Sequence, residues 1–178
     1  LIDLPTGEII EDFPAGSVDL DLIDIEENDL IQFGSSLTDI PREPDAVAWL
    51  DDESFATADE GDLDGGSRGF TIFNYSDGIV SIPVTSGNFY EHLVGSIWHD
   101  PEGRSENKGN EPEGAEFGQY GDDRLLFIGS ERSSVVSVYD LDDDNFPELK
   151  QVLPVGLAPE GLLAIPDRDL FVVASEDD

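Results

Sequence analysis

The chain has 178 residues, enough for one domain with an apolar core of its own. Its 42 acidic residues outnumber 8 basic ones, giving a formal net charge of −34, which argues against binding nucleic acid or an anionic membrane surface. Cysteine is absent, which removes disulfides, thiolate metal sites and a cysteine nucleophile, and no apolar run reaches the ~18 residues of a membrane span. Methionine is also absent, position 1 included, so the chain reads as a piece of a longer protein. A lysine-poor acidic surface suits a saline external medium and concentrates divalent cations; solubility alone accounts for it equally well. An apolar content of 38% with ten Phe argues against disorder, with His99–Glu113 read as the least ordered stretch.

In chain order, Leu1–Leu4 and Glu8–Phe13 form a hairpin around a Pro5-Thr6-Gly7 turn, and Pro14-Ala15-Gly16 ends it. Val18–Phe33 alternates acids with apolar residues, which suits either a strand or an irregular acidic connection, because Asp is a poor strand former. From Pro44 a repeat becomes legible. Pro44–Asp62, Pro112–Arg132 and Pro159–Asp178 each begin with Pro, an acid and a small residue. An apolar strand, an acidic turn and a second strand follow, and the second strand closes on Glu60, Glu131 or Glu176. The first two copies add a third and a fourth strand: Phe70–Asn74 and Ile79–Val84, then Val135–Leu141 and Leu149–Val155. Pro112 and Pro159 are 47 residues apart; Pro44 and Pro112 are 68 apart because of an extra segment near His92–Asn110.

Four short antiparallel strands per ~40–50 residues is the pattern of a β-propeller blade, and no helical pattern competes with it. The expected fold is all-β, a partial β-propeller of four-stranded antiparallel blades. Residues 1–16 are the outer hairpin of a preceding blade, 40–91 a blade, 92–110 a long loop, 111–156 a blade, and 157–178 the inner hairpin of a following blade. An open stack leaves apolar faces uncovered. The expected partners are therefore the rest of its own propeller or other copies of the same segment.

Five stretches, Ala56–Asp62, Gly65–Asn74, Glu106–Gly118, Leu126–Leu141 and Leu157–Pro166, resemble one family in motif order. It is the choice-of-anchor I group of bacterial surface propellers, whose members also carry the labels alkaline-phosphatase-like and esterase-like domain of phytases. The resemblance implies a seven-bladed ring, secreted or held at the cell surface, and a calcium-dependent phosphoesterase activity. The chain departs from the family pattern by stopping at Asp178 inside a blade and by a shorter, more acidic Val18–Phe33.

Three groups of residues could carry chemistry. The loop DEGDLDGG (Asp59–Gly66) offers Glu60, Asp62 and Asp64 as oxygen ligands for calcium, although it lacks the closing Glu and flanking helices of a helix-flanked calcium loop. Asp140–Asn145 alternates acids in the same way, and turn chemistry explains it as well. The repeated acids Asp45, Glu113 and Glu160, and the strand-closing Glu60, Glu131 and Glu176, recur at equivalent positions. They would either ring a channel as a cation site or cap turns. Gly65–Gly69 has the letters of a nucleophile elbow, but a strand follows it where the elbow needs a helix. The candidate assignments are Glu113 and Glu160 for catalysis, Arg68 and Arg132 for phosphate, and Glu60, Asp62, Asp64, Glu131 and Glu176 for calcium; with so few cations in the chain, Arg68 and Arg132 equally suit structural pairing with nearby acids. The ligand is then a phosphate ester or, for a non-catalytic module, a protein or glycan at the cell surface. His99 beside Asp100 and Glu102 is a weaker acid–base or metal group, and Trp49 and Trp98 read as packing residues.

Overall fold

Short runs rich in Val, Ile, Phe and Thr, separated by Asp/Gly turns, give a chain built mostly of small antiparallel sheets. The computed structural model describes residues 1–61 and 63–177. Two of its sheets have four strands each, joined as simple meanders. The first holds β5 (Pro44–Trp49), β6 (Ser54–Asp59), β7 (Gly69–Ser76) and β8 (Ile79–Thr85). The second holds β9 (Pro112–Tyr120), β10 (Asp123–Ser130), β11 (Val135–Leu141) and β12 (Pro147–Pro154). A hairpin of β13 (Leu157–Ile165) and β14 (Leu170–Asp177) follows. Before them lie a minimal hairpin, β1 (Ile2–Asp3) with β2 (Glu8–Ile9), and the pair β3 (Ser17–Ile23) and β4 (Ser35–Pro41).

Turn chemistry fixes the registers. Ser76 pairs with Ile79 across Asp77 and Gly78, which take φ of 53° and 78°. Two successive positive φ values make the two-residue turn that matches strand twist, and Asp-Gly is the sequence suited to it.

The sheets stack through their first strands: β5 lies beside β9, and β9 beside β13. Between the two four-stranded sheets sits the main core, with Ala56, Ala58, Phe70 and Ile72 facing Leu126, Ile128, Val135 and Tyr139. Small side chains on β6 let the neighbouring sheet approach. A second core forms where Phe127, Val136 and Val138 meet Leu162, Phe171 and Val173, with the Phe127 and Phe171 rings stacked at 3.9 Å. Gly114 is explained here, because a Cβ on it would lie 2.7 Å from Leu162 Cδ1. The first four-stranded sheet and the β13–β14 hairpin leave apolar residues exposed on their outer sides, Val47 and Trp49 on one and Leu163 and Val172 on the other, all at least 45% exposed.

The structure refines several sequence expectations. Val18–Phe33 is not one strand: β3 ends at Ile23, and the Asp24 carboxylate then accepts the amides of Glu26 (3.1 Å) and Gln32 (2.8 Å), closing a loop before β4. The strand expected at Glu8–Phe13 shrinks to Glu8–Ile9. The long connection contains a helix, α1 (Phe89–Ser96), which buries Tyr90, Glu91 and Val94. Eight residues are too few for a helical period to stand out, and a helix this short depends on the packing it makes. The connection after it, read as the least ordered stretch, buries Ser105, Asn110 and Glu111 completely.

Candidate functional site

At one end of both four-stranded sheets, first strands begin and second strands finish, because the neighbours are antiparallel. This geometry gathers the acids of the repeat. Glu113 lies at the start of β9, half-buried; Glu131 follows the last residue of β10 and is 4% exposed; Glu60 follows β6. The Glu131 amide donates to the Glu111 carbonyl at 2.9 Å, which fixes the two chain ends side by side. The charges of Glu131, Glu60 and Asp45 all act on Glu113.

Three cations close this cluster. Arg132 donates from Nε to Glu111 at 2.6 Å and from Nη1 to Glu131 at 2.5 Å. Arg104 pairs with Glu111, Lys108 pairs with Glu60, and Lys108 Nζ also lies 3.8 Å from Glu111. Both Arg104 and Lys108 come from the connection that precedes β9. Among the described residues, the five carboxylates Asp45, Glu60, Glu111, Glu113 and Glu131 therefore meet three cations.

The electrostatics follow from that imbalance. Burial pushes the Glu113 carboxyl up to about 8, and the neighbouring Glu131 and Glu60 charges and a hydrogen bond with Glu131 push in the same direction. Glu131 is raised by burial and by its contact with Glu111. Burial also opposes ionisation of Glu111, but hydrogen bonds with Arg104 and Glu131 and the Arg132 charge outweigh it, so its carboxyl sits below the usual range. Glu111 is the ionised hub, and Glu113 binds a proton more tightly than an ordinary carboxyl.

Other expected residues lie elsewhere. Asp64 is exposed at φ 53° in the turn after β6, and Glu160 and Glu176 are exposed on β13 and β14. Asp62 lies outside the described residues. Arg68, expected to hold phosphate, is corrected to a structural anchor, because it is 0% exposed with its donors engaged by the protein. Its Nη1 reaches Glu91 Oε1 and the Asp24 carbonyl, each at 2.7 Å. Its Nε donates to the Gly65 carbonyl at 2.7 Å and its Nη2 to the Ser105 carbonyl at 2.6 Å. This guanidinium pins the connection after α1 to the start of β7. On β6, Asp59 accepts the hydroxyls of Thr57 (2.6 Å) and Thr71, and burial pushes its carboxyl up to about 6. Of Asp140–Asn145, the first two residues end β11 and the rest form a turn: the Asp142 carboxylate accepts the amides of Asp144 (3.0 Å) and Phe146 (2.8 Å).

Sequence reasoning found Glu60, Glu113, Glu131 and Arg132, but missed Glu111, Arg104 and Lys108. A signal for Glu111 exists: Glu43-Pro44-Asp45 and Glu111-Pro112-Glu113 share a Glu before the repeat's proline. Among the described residues, no three or more His, Asp or Glu side chains are arranged as a ready set of metal ligands.

The curated proteins and the solved structures contain no significant match to this chain. Residues 61–144 match the family model of the choice-of-anchor I domain, a span that takes in Arg68, Glu91, Glu111, Glu113 and Glu131. That span, just under half of the chain, is similar to the choice-of-anchor I domain, a domain that suggests a bacterial surface-associated protein.

Proposed function

We propose that this chain is part of a β-propeller-type module at the outer surface of a bacterial cell, and that it binds a protein or glycan partner without catalysing a reaction. The stacking of meander sheets through β5, β9 and β13 supports the propeller reading. The apolar outer faces around Trp49 and Leu163 are where further sheets of the same ring, or of another copy, would pack. One observation carries the non-catalytic reading. Arg132, Arg104 and Lys108 are held by Glu111, Glu131 and Glu60, and the cluster still has carboxylates in excess. Such a site repels a phosphate ester.

A second reading keeps the phosphoesterase. Its specific support is Glu113, whose raised affinity for a proton marks a crowded group that a calcium ion would also relieve. Calcium held there by Glu113 with Glu60 and Glu131 would supply charge neutralisation for a phosphate and a more acidic bound water. Turnover of p-nitrophenyl phosphate by the full-length protein at saturating calcium separates the two. The binding-module reading expects no turnover above buffer. Calcium-dependent turnover that Glu113→Gln abolishes establishes the phosphoesterase instead.

A further inference from the structure

The buried acids around α1 take no part in the cluster described above. Glu91 is 0% exposed; its Oε1 is held by Arg68, whereas its buried Oε2 has no hydrogen-bond partner. Both carboxylate oxygens of Asp100 are likewise buried without a partner. The two groups share one flank of the helix. Gly95 stands one turn after Glu91, and a Cβ on Gly95 would lie 3.5 Å from Asp100 Oδ2. The Ser105 hydroxyl, also fully buried and without a partner, belongs to the residue whose carbonyl accepts from the same Arg68 guanidinium.

We propose that Glu91, Asp100 and the Ser105 hydroxyl form a binding site for a hard divalent cation of the calcium class, separate from the Glu60–Glu113–Glu131 cluster. Buried carboxylate oxygens left unsatisfied are costly, so something positive belongs beside them. Arg68 supplies one charge, and His92 faces Asp100 from α1. Against these stand Glu91, Asp100, the buried Asp24 and, at the rim, Glu102. The environment already shows the deficit. Burial pushes Glu91 up to about 7 and Asp100 up to about 6, the latter helped by the charge of Asp24. Asp24 contributes charge and no ligand, because its oxygens accept the amides of Glu26 and Gln32.

The donor set decides the cation class. Two carboxylates and a hydroxyl are all hard oxygens, and calcium accepts such sets in flexible geometry with water completing six to eight positions. Bound there, the ion would tie α1 to the connection after it.

Asp100→Asn is the decisive variant. The Asp100 oxygens have no hydrogen-bond partner in the fold, so the amide keeps shape and removes a buried charge. Thermal unfolding is followed at neutral pH with chelator or with millimolar calcium, alongside terbium luminescence excited through Trp98, which sits two residues from Asp100. Wild type should gain stability with calcium and give saturable terbium emission that calcium displaces. Asp100→Asn should unfold no earlier than wild type in chelator, and its calcium affinity should fall by on the order of tenfold or more, as expected when a charged ligand is lost. Asp122→Asn, in the exposed turn between β9 and β10, should keep the wild-type response. Identical calcium responses in wild type and Asp100→Asn overturn the proposal, as does a response that Glu113→Gln abolishes and Asp100→Asn leaves intact.

Discussion

Replacing Arg68 by Met probes the most heavily used side chain in the fold. The guanidinium is 0% exposed and its partner Glu91 is 0% exposed, with 2.7 Å between Nη1 and Oε1. Removing one member of such a pair leaves a buried charge uncompensated and costs about 3–5 kcal/mol. The carbonyls of Asp24, Gly65 and Ser105 also lose a donor. Those three bonds are together worth about 2–3 kcal/mol, and part of that overlaps the first figure. We expect a loss of about 4 kcal/mol, a large share of the 5–15 kcal/mol that typically holds a domain together. Adding Glu91→Leu removes the orphaned carboxylate. The double variant should therefore recover about 1–2 kcal/mol while the carbonyl losses remain. Urea unfolding followed by tryptophan fluorescence gives both numbers. A loss below about 1 kcal/mol for Arg68→Met, or a double variant less stable than the single one, would refute the anchor role, since either lies outside the range for a broken buried pair.

Glu113 gives a pH-dependent prediction. Its folded carboxyl is raised to about 8 from an ordinary 4.5, so the folded state binds the proton more tightly. The stability it contributes is complete below the unfolded value and is lost as pH rises through about 8. Thermal melts should show Glu113→Gln close to wild type in mild acid and more stable than wild type in mild alkali; a variant that melts earlier in alkali contradicts this. Gly114→Ala places a Cβ 2.7 Å from Leu162 Cδ1. We expect a cost of about 1–3 kcal/mol in urea unfolding, reduced when Leu162→Ala makes room. Trp49→Glu and Leu163→Glu fall on the outer apolar faces and should suppress self-association in light scattering with little change in melting temperature. Unchanged association would place the contacts elsewhere.

Much of the strand pattern was legible because it is local. The strand expected at Val135–Leu141 occupies those residues, and Asp77-Gly78 makes the turn its chemistry dictates. The repeat also placed Glu60, Glu113 and Glu131 at equivalent ends of neighbouring strands, which is why they meet. The remainder depends on burial and on distant chain. Arg68 sits in a glycine-rich turn, and nothing local shows that carbonyls from two distant segments, at Asp24 and Ser105, together with the Glu91 carboxylate enclose it. Arg104 and Lys108 reach the cluster only because the connection folds back over it. The helix at Phe89–Ser96 is two turns long and is specified by Tyr90 and Val94 packing rather than by periodicity.

Among the described residues, carboxylates are in excess where Asp45, Glu60, Glu111, Glu113 and Glu131 meet Arg104, Lys108 and Arg132. Isothermal titration of inorganic phosphate into the full-length protein tests this directly, with and without calcium and with Glu113→Gln for comparison. The binding-module account predicts no heat of phosphate binding in either condition. Saturable phosphate binding that requires calcium and disappears in Glu113→Gln would contradict it.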